Sequence, residues 1–201
     1  MENDNQLAGL IIRNIAELEG ALKYLEERVT PRLAEAIFEI VESSAGASDW
    51  YFSDSSDPGG WFCLKDWLIA GQSKADANMW LQIETPGDDL SETWEGSFAG
   101  GLAAEHTAAL VVRYARVGKR QWAELRAGLP DAMDSIRAAG FVVDGDQIYF
   151  SLPLDREALA EAFEQGDIST ALGRIEEMAL ALARAIPALN AIHQALTRMI
   201  D

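Results

Sequence analysis

NMWLQIET, residues 78–85, alternates Met79, Leu81 and Ile83 with Trp80, Gln82 and Glu84. This period of two predicts a β-strand that turns one row of side chains to a core. Residues 107–117, TAALVVRYARV, contain the apolar run Ala-Ala-Leu-Val-Val and predict a second strand. Shorter strands are expected at 49–52, 61–69 and 93–98. Because short connections join these segments, they indicate an antiparallel sheet.

Heptad patterns at both ends of the chain predict long helices. Apolar residues spaced alternately four and three apart form a stripe in the first helix: Ile11, Ile15, Leu18, Leu22, Leu25 and Val29. Thr30 and Pro31 are typical of an N-cap followed by proline at the first helical position, which predicts a second helix to about residue 43. The same spacing fills every a and d position of residues 168–200, where Pro187 is expected to bend the helix.

Between the sheet and the last helix, residues 120–139 predict an amphipathic helix interrupted at Pro130. Asp144-Gly145 between two apolar runs predicts a hairpin over 141–150. Asp155 is expected to cap a further helix that ends near Gly166. The pattern therefore predicts an α+β fold: a central antiparallel sheet of five to seven strands, flanked by N- and C-terminal helices that pack together. We expect a single domain over 1–201, helical in 1–45, strand-rich in 48–117, and mixed in 118–201.

Charge and tryptophan are concentrated in the same part of the chain. The net charge is −17, and residues 41–100 contribute eleven acids against two lysines. Five of the six tryptophans lie between residues 50 and 94. So negative a chain repels phosphate, which disfavours direct binding to nucleic acid or an anionic membrane. The composition instead favours a basic protein as partner.

The expected partner-binding surface joins aromatic rings to carboxylates. If the stripe of Met79, Leu81 and Ile83 faces the core, Trp80 points the other way. Acidic residues that follow it would attract Lys and Arg, and exposed indoles would bind them through cation–π contacts. We expect the binding residues to be Trp80, Glu84, Asp88, Asp89, Glu92, Trp94 and Glu95. The alternative is a two-sided core in which helices cover both faces of the sheet.

Catalytic motifs are not evident, and we expect no catalytic residues, no metal and no cofactor. The single cysteine, Cys63, lies in an apolar run and is interpreted as a buried structural thiol. His193 occupies a position of the C-terminal heptad stripe, which is typical of a core residue or of a polar residue that fixes helix register. Asp66 and Glu84 have plausible positions for the metal-binding acids of a metal-dependent hydrolase. Metal-dependent nucleases often carry Glu-x-Lys at the second acid, but Pro86 stands at the lysine position here.

A cluster of bases over residues 113–128 has two interpretations. It either pairs with acids of the same chain or forms an anion site where a helix begins near Lys119. No apolar run is long enough for a membrane span, and the acidic N-terminus differs from a signal peptide, so a cytoplasmic location is expected.

The leading functional hypothesis is a non-catalytic acidic protein that binds and occludes a basic partner, as an inhibitor, immunity protein, adaptor or nucleic-acid mimic. One alternative is a structural or assembly protein using its terminal helices, including a homo-oligomer through helices 8–29 and 168–200. The other is a metal-dependent hydrolase.

Overall fold

The computed structural model describes residues 2–45, 49–53, 60–69, 74–84, 97–99 and 108–200. Its helices are α1 Glu2–Arg13, α2 Ile15–Tyr24, α3 Thr30–Ala45, α4 Lys119–Ala127, α5 Pro130–Ala138, α6 Arg156–Gln165 and α7 Gly173–Ile200. Its strands are β1 Trp50–Phe52, β2 Trp61–Leu64, β3 Met79–Glu84, β4 Ala109–Tyr114, β5 Val142–Asp144 and β6 Gln147–Ser151. They form one antiparallel sheet in the order β1-β2-β3-β4-β6-β5. The predicted α+β class is confirmed, and the six strands lie within the predicted range.

The alternation in β3 separates the two faces of the sheet as expected. Met79, Leu81 and Ile83 are buried, whereas the three residues between them are partly exposed. Phe62 pairs with Leu81 on the buried side, and the ring of Phe38 from α3 contacts Phe62 at 6.0 Å. This side is therefore the core face, which is covered by helices. We call the opposite side, which carries Trp80, Gln82 and Glu84, the far face.

The predicted turn and cap signals are found at their expected positions. Gly145 has φ of +48° between β5 and β6, a conformation that glycine adopts without strain. The Asp155 carboxylate accepts a hydrogen bond of 2.8 Å from the Ala158 amide at the start of α6. The helix ends at Gly166, whose φ is +77°. These local signals fix the hairpin and α6.

The C-terminal helix supplies much of the core. Its heptad stripe is buried at Ile175, Ala179, Leu182, Leu189 and Leu196. It packs against α3, which buries Leu33, Ile37 and Val41. N-terminal and C-terminal helices therefore do pack together, and α3 is the N-terminal helix that contacts α7. None of the described helices is long and apolar enough to cross a lipid bilayer.

The predicted cap at Thr30 is wrong, because the helix does not restart there. Residues Leu25–Val29 form a π-helical segment that leads directly into α3. The Thr30 hydroxyl donates a 3.0 Å hydrogen bond to the Leu25 carbonyl instead of capping a new helix. A proline ring inside a regular α-helix collides with the preceding turn, and the wider π turn before Pro31 accommodates it.

Two predicted boundaries also change. The strand expected over 61–69 ends at Leu64, and a 3₁₀ turn, Lys65–Trp67, follows it. The C-terminal helix begins at Gly173 after a separate 3₁₀ turn, Ile168–Ala171. Of the strand expected over 93–98, residues 93–96 lie outside the described residues, and 97–98 are helical.

Candidate functional site

Trp80 lies on the far face, as the alternation predicts, but it is half-buried and already contacts a cation. The Lys74 ammonium lies 5.3 Å from the centre of its ring. The indole N–H donates a 3.3 Å hydrogen bond to the Gln82 side-chain oxygen, which also accepts from Lys74. A cation–π contact with lysine is the chemistry expected of a basic partner, and here the chain makes it with its own lysine.

Glu84 is likewise already paired with a cation of the chain. Arg113 on β4 donates from Nε to both carboxylate oxygens, at 2.9 and 3.1 Å, and its Nη2 also bonds Oε2. The hydrogen bonds to Glu84 raise the pKa of the Arg113 guanidinium, so it remains charged. Such a forked ion pair is geometrically specific. A basic partner at this position would have to compete with Arg113.

The other predicted binding residues cannot be placed. Asp88, Asp89, Glu92, Trp94 and Glu95 lie outside the described residues. The structure therefore positions only Trp80 and Glu84 of the expected surface.

Most of the described tryptophans belong to the core rather than to an exposed platform. Trp50, Trp61, Trp67 and Trp122 are all buried. Trp61 is buried although it lies on the far face, where Val111 and Cys63 are buried too. The far face is thus partly buried around Trp61, Cys63 and Val111. Burial also raises the pKa of the Cys63 thiol to about 12, which keeps it protonated.

The bases at the start of α4 pair with acids of the chain. Lys119 Nζ lies 3.3 Å from the Asp146 carboxylate, and this contact lowers the pKa of Asp146. Arg120 Nε lies 3.0 Å from Glu124 one helical turn away. The Gly118 amide donates to the Gln121 side chain at 3.0 Å. These contacts agree with internal pairing rather than with an anion site.

A polar cleft lies between the 3₁₀ turn Lys65–Trp67 and the C-terminal half of α7. Its volume is about 400 Å³. Its lining comprises Asp66, Trp67, Asn190, His193, Gln194, Thr197 and Arg198. The Trp67 indole donates a 2.8 Å hydrogen bond to Asn190 and stacks on the His193 ring at 5.8 Å. Side-chain acceptors, donors and an aromatic wall thus meet here.

Two buried atoms near this cleft have no hydrogen-bond partner among the described residues: His193 Nε2 and Asn78 Oδ1. Burial lowers the pKa of His193, and the Asp66 carboxylate and the Trp67 backbone only partly offset this effect. His193 was expected in a helix seam. It instead lies half-buried at the edge of α7, and sequence reasoning missed Asn78 and Asn190 altogether. A buried amide has no periodicity by which a sequence could reveal it.

We predict that His193 makes the fold sensitive to acid. Its folded pKa is lowered, so the unfolded chain binds more protons near the ordinary value of about 6.5. Its contribution to stability is therefore complete above this pH and is lost as the pH falls toward the lowered folded pKa. Urea unfolding between pH 7.5 and 5 should show a smaller decline for His193→Gln than for the natural chain. Equal declines in both proteins would contradict this assignment.

The carboxylates suggested for a metal-dependent enzyme are far apart. Asn78, immediately before β3, lies beside Trp67 through a backbone hydrogen bond, whereas Glu84 ends β3. At about 3.3 Å per residue the two ends of β3 are separated by roughly 17 Å. Asp66 also faces α7, while Glu84 lies on the far face. The described residues contain no group of three metal-binding side chains.

An exposed apolar surface lies on α1 and α2, which carry most of the exposed large apolar side chains of the described residues. Their large apolar side chains are between 43% and 69% exposed, and α2 buries no residue at all. The residues of this exposed surface are Leu7, Leu10, Ile11, Ile12, Ile15, Leu18, Leu22 and Tyr24. We call the heptad part of this surface, Ile11, Ile15, Leu18 and Leu22, the N-terminal stripe. The sequence predicted the helix and its stripe, but not that the stripe would remain uncovered.

Comparison of the chain with protein-family models, with curated proteins and with solved structures found no match.

Proposed function

We propose that this chain is a non-catalytic protein-binding protein that docks onto another helical chain through the N-terminal stripe. The observation that carries this proposal is the concentration of exposed apolar side chains on α1 and α2. Monomeric proteins rarely leave a contiguous apolar patch of this kind in water, and such patches mark interaction sites. An amphipathic helix whose anchors recur every three and four residues binds a helical partner or a groove.

A basic partner protein is the second candidate, and the far face favours it. Trp80 and Glu84 hold a lysine and an arginine of the chain itself, which supports the idea that this surface suits cationic side chains. The net charge of −17 would speed the approach of a basic protein at low salt.

Affinity capture from host extract, at low and moderate salt, tests both candidates with four baits. We expect Leu18→Asp to abolish capture through the stripe, because it places a charge among apolar anchors. Ala16→Asp is the matched control, since it adds the same charge at an exposed position off the stripe. The fourth bait, Trp80→Ala with Glu84→Gln, should lose only a basic partner that salt also weakens.

The outcomes separate the two candidates. A protein that the natural chain and Ala16→Asp retain but Leu18→Asp loses supports docking through the stripe. A protein that depends on Trp80 and Glu84 supports the acidic surface instead. Equal capture by all four baits would reject both surfaces.

A further inference from the structure

The N-terminal stripe continues the face by which α3 packs onto the sheet and the later helices. We call the part of the fold from α3 onward the body. In an unbroken α-helix at 100° per residue, the buried side chains Ala34, Ile37 and Val41 would lie about 90° away from the direction of Leu22. The five residues of the π-helical segment turn less per residue, which removes about 90° and realigns the two sets. One side of the helix formed by α2, the π-helical segment and α3 is thus covered by α7 along α3 and uncovered along α2.

Within the part of the chain that the structure describes, no second exposed heptad stripe is left to cover this surface. The a and d residues of α7 that match a coiled-coil partner are mostly buried in the body, Leu182 and Leu189 among them. Heptad spacing specifies a partner helix with the same period, because knobs at a and d insert between residues of a matching stripe. A second copy of this chain presents such a stripe without further requirement.

We propose that the N-terminal stripe pairs with the same stripe of a second copy, in antiparallel orientation. This inference rests on the proposed docking function of α1 and α2, and it names the partner.

Charge determines the orientation. Arg13 is the one charged residue in 5–16, whereas 17–28 holds four glutamates, Lys23 and Arg28. Antiparallel pairing sets residues 17–28 of one copy beside residues 5–16 of the other, with Glu2 and Asp4 beyond that window, whereas parallel pairing would set the two acidic 17–28 segments together. Like charges held side by side destabilise a helix pair.

The bodies favour the same orientation. Asn14 separates α1 from α2, and α2 alone is about 15 Å long at 1.5 Å per residue, which already exceeds the Debye length of roughly 8 Å at physiological salt. Antiparallel pairing places the two acidic bodies at opposite ends of the helix pair, where their repulsion is screened. Parallel pairing would bring both bodies, each part of a chain of net charge −17, to the same end.

The register of the helix pair follows from which residues of the stripe are exposed. Centring the pair on the exposed part of the stripe sets Ile15 against Leu18 of the second copy, and Ile11 against Leu22. A single helix pair of this length buries an area at the low end of stable interfaces, below roughly 1,200 Å². We therefore expect a reversible dimer with a dissociation constant in the micromolar range.

Sedimentation equilibrium of the purified chain, between about 1 and 200 µM, tests the pairing. We expect the natural chain and Ala16→Asp to move from monomer to dimer with concentration, and Leu18→Asp to stay monomeric with unchanged far-UV circular dichroism. A monomeric natural chain at every concentration would overturn self-pairing. Capture of a different protein in the four-bait experiment would then still support the docking function, so the two failures are distinguishable.

Thiol cross-linking tests the orientation. Cys63 is fully buried with a raised pKa, so the natural chain should remain unlinked with a short bis-maleimide reagent. We expect Ile11→Cys and Leu22→Cys to give mainly mixed dimers when combined, because two copies of residue 11 lie about 16 Å apart along an antiparallel pair. Homodimeric products from each variant alone, with few mixed dimers, would overturn the antiparallel arrangement. Leu18→Asp added to both cysteine variants should abolish the mixed dimers, because the charge disrupts the stripe.

Discussion

Leu182→Asp is expected to unfold the protein, whereas the same substitution at Leu18 should leave the fold intact. Both leucines occupy heptad positions of terminal helices. Leu182 is fully buried in α7, and Leu18 is 45% exposed on α2. An unpaired carboxylate in the core, together with the lost leucine contacts, costs about 4 kcal/mol or more, which is comparable with the total stability of many domains.

Thermal unfolding followed by circular dichroism measures both variants. The melting temperature of Leu18→Asp should stay within a few degrees of the natural chain at low protein concentration, where the proposed dimer is dissociated. Leu182→Asp should show no cooperative transition. Leu182→Ala provides an intermediate control, with an expected loss of about 2–5 kcal/mol. A folded Leu182→Asp would mean that α7 does not form the core.

Trp67→Ala is expected to lower the free energy of unfolding by about 3–5 kcal/mol, since it removes a large buried ring. The ring contacts Trp50 at 6.3 Å and His193 at 5.8 Å, and only 1% of the residue is exposed. It joins the 3₁₀ turn to α7 through the hydrogen bond to Asn190. Urea unfolding at pH 7.5 measures the change.

A double-mutant cycle separates the packing of Trp67 from its hydrogen bond. Asn190→Leu alone leaves the buried indole N–H without an acceptor, which costs about 1–3 kcal/mol. The same substitution should cost clearly less in a Trp67→Phe background, where no N–H remains. If Asn190→Leu has the same effect in both backgrounds, the hydrogen bond does not hold the 3₁₀ turn to α7.

The strands and turns of this fold could be predicted because their signals are local. The alternation in β3, the Asp144-Gly145 turn and the Asp155 cap each depend on neighbouring residues, and the structure has all three. The end of β2 at Leu64 was not predictable, because Lys65–Trp67 turns there to bring Trp67 against Asn190, which is more than a hundred residues away.

The candidate sites were harder to predict, because periodicity reveals an apolar face but not what covers it. The heptad patterns of 8–29 and 168–200 are alike, yet one face is exposed and the other is buried. Alternation correctly placed Trp80 and Glu84 on the far face. It carried no information about Lys74 and Arg113, whose contacts depend on how the side chains fold over that face.

The π-helical segment Leu25–Val29 has a consequence for how this chain can change. A π turn is equivalent to one inserted residue, so loss of a single codon in this segment would restore a regular helix. The lost residue, about 100°, and the lost π turn, about 90°, nearly cancel, so the N-terminal stripe would keep its direction relative to the body. Conversion of the segment to a regular α-helix with all five residues retained would instead rotate the stripe by about 90°, although no side chain of the stripe had changed. Five residues thus set the direction in which the N-terminal helix presents its apolar side. Partner choice would then shift through the winding of this segment rather than through substitutions in the stripe.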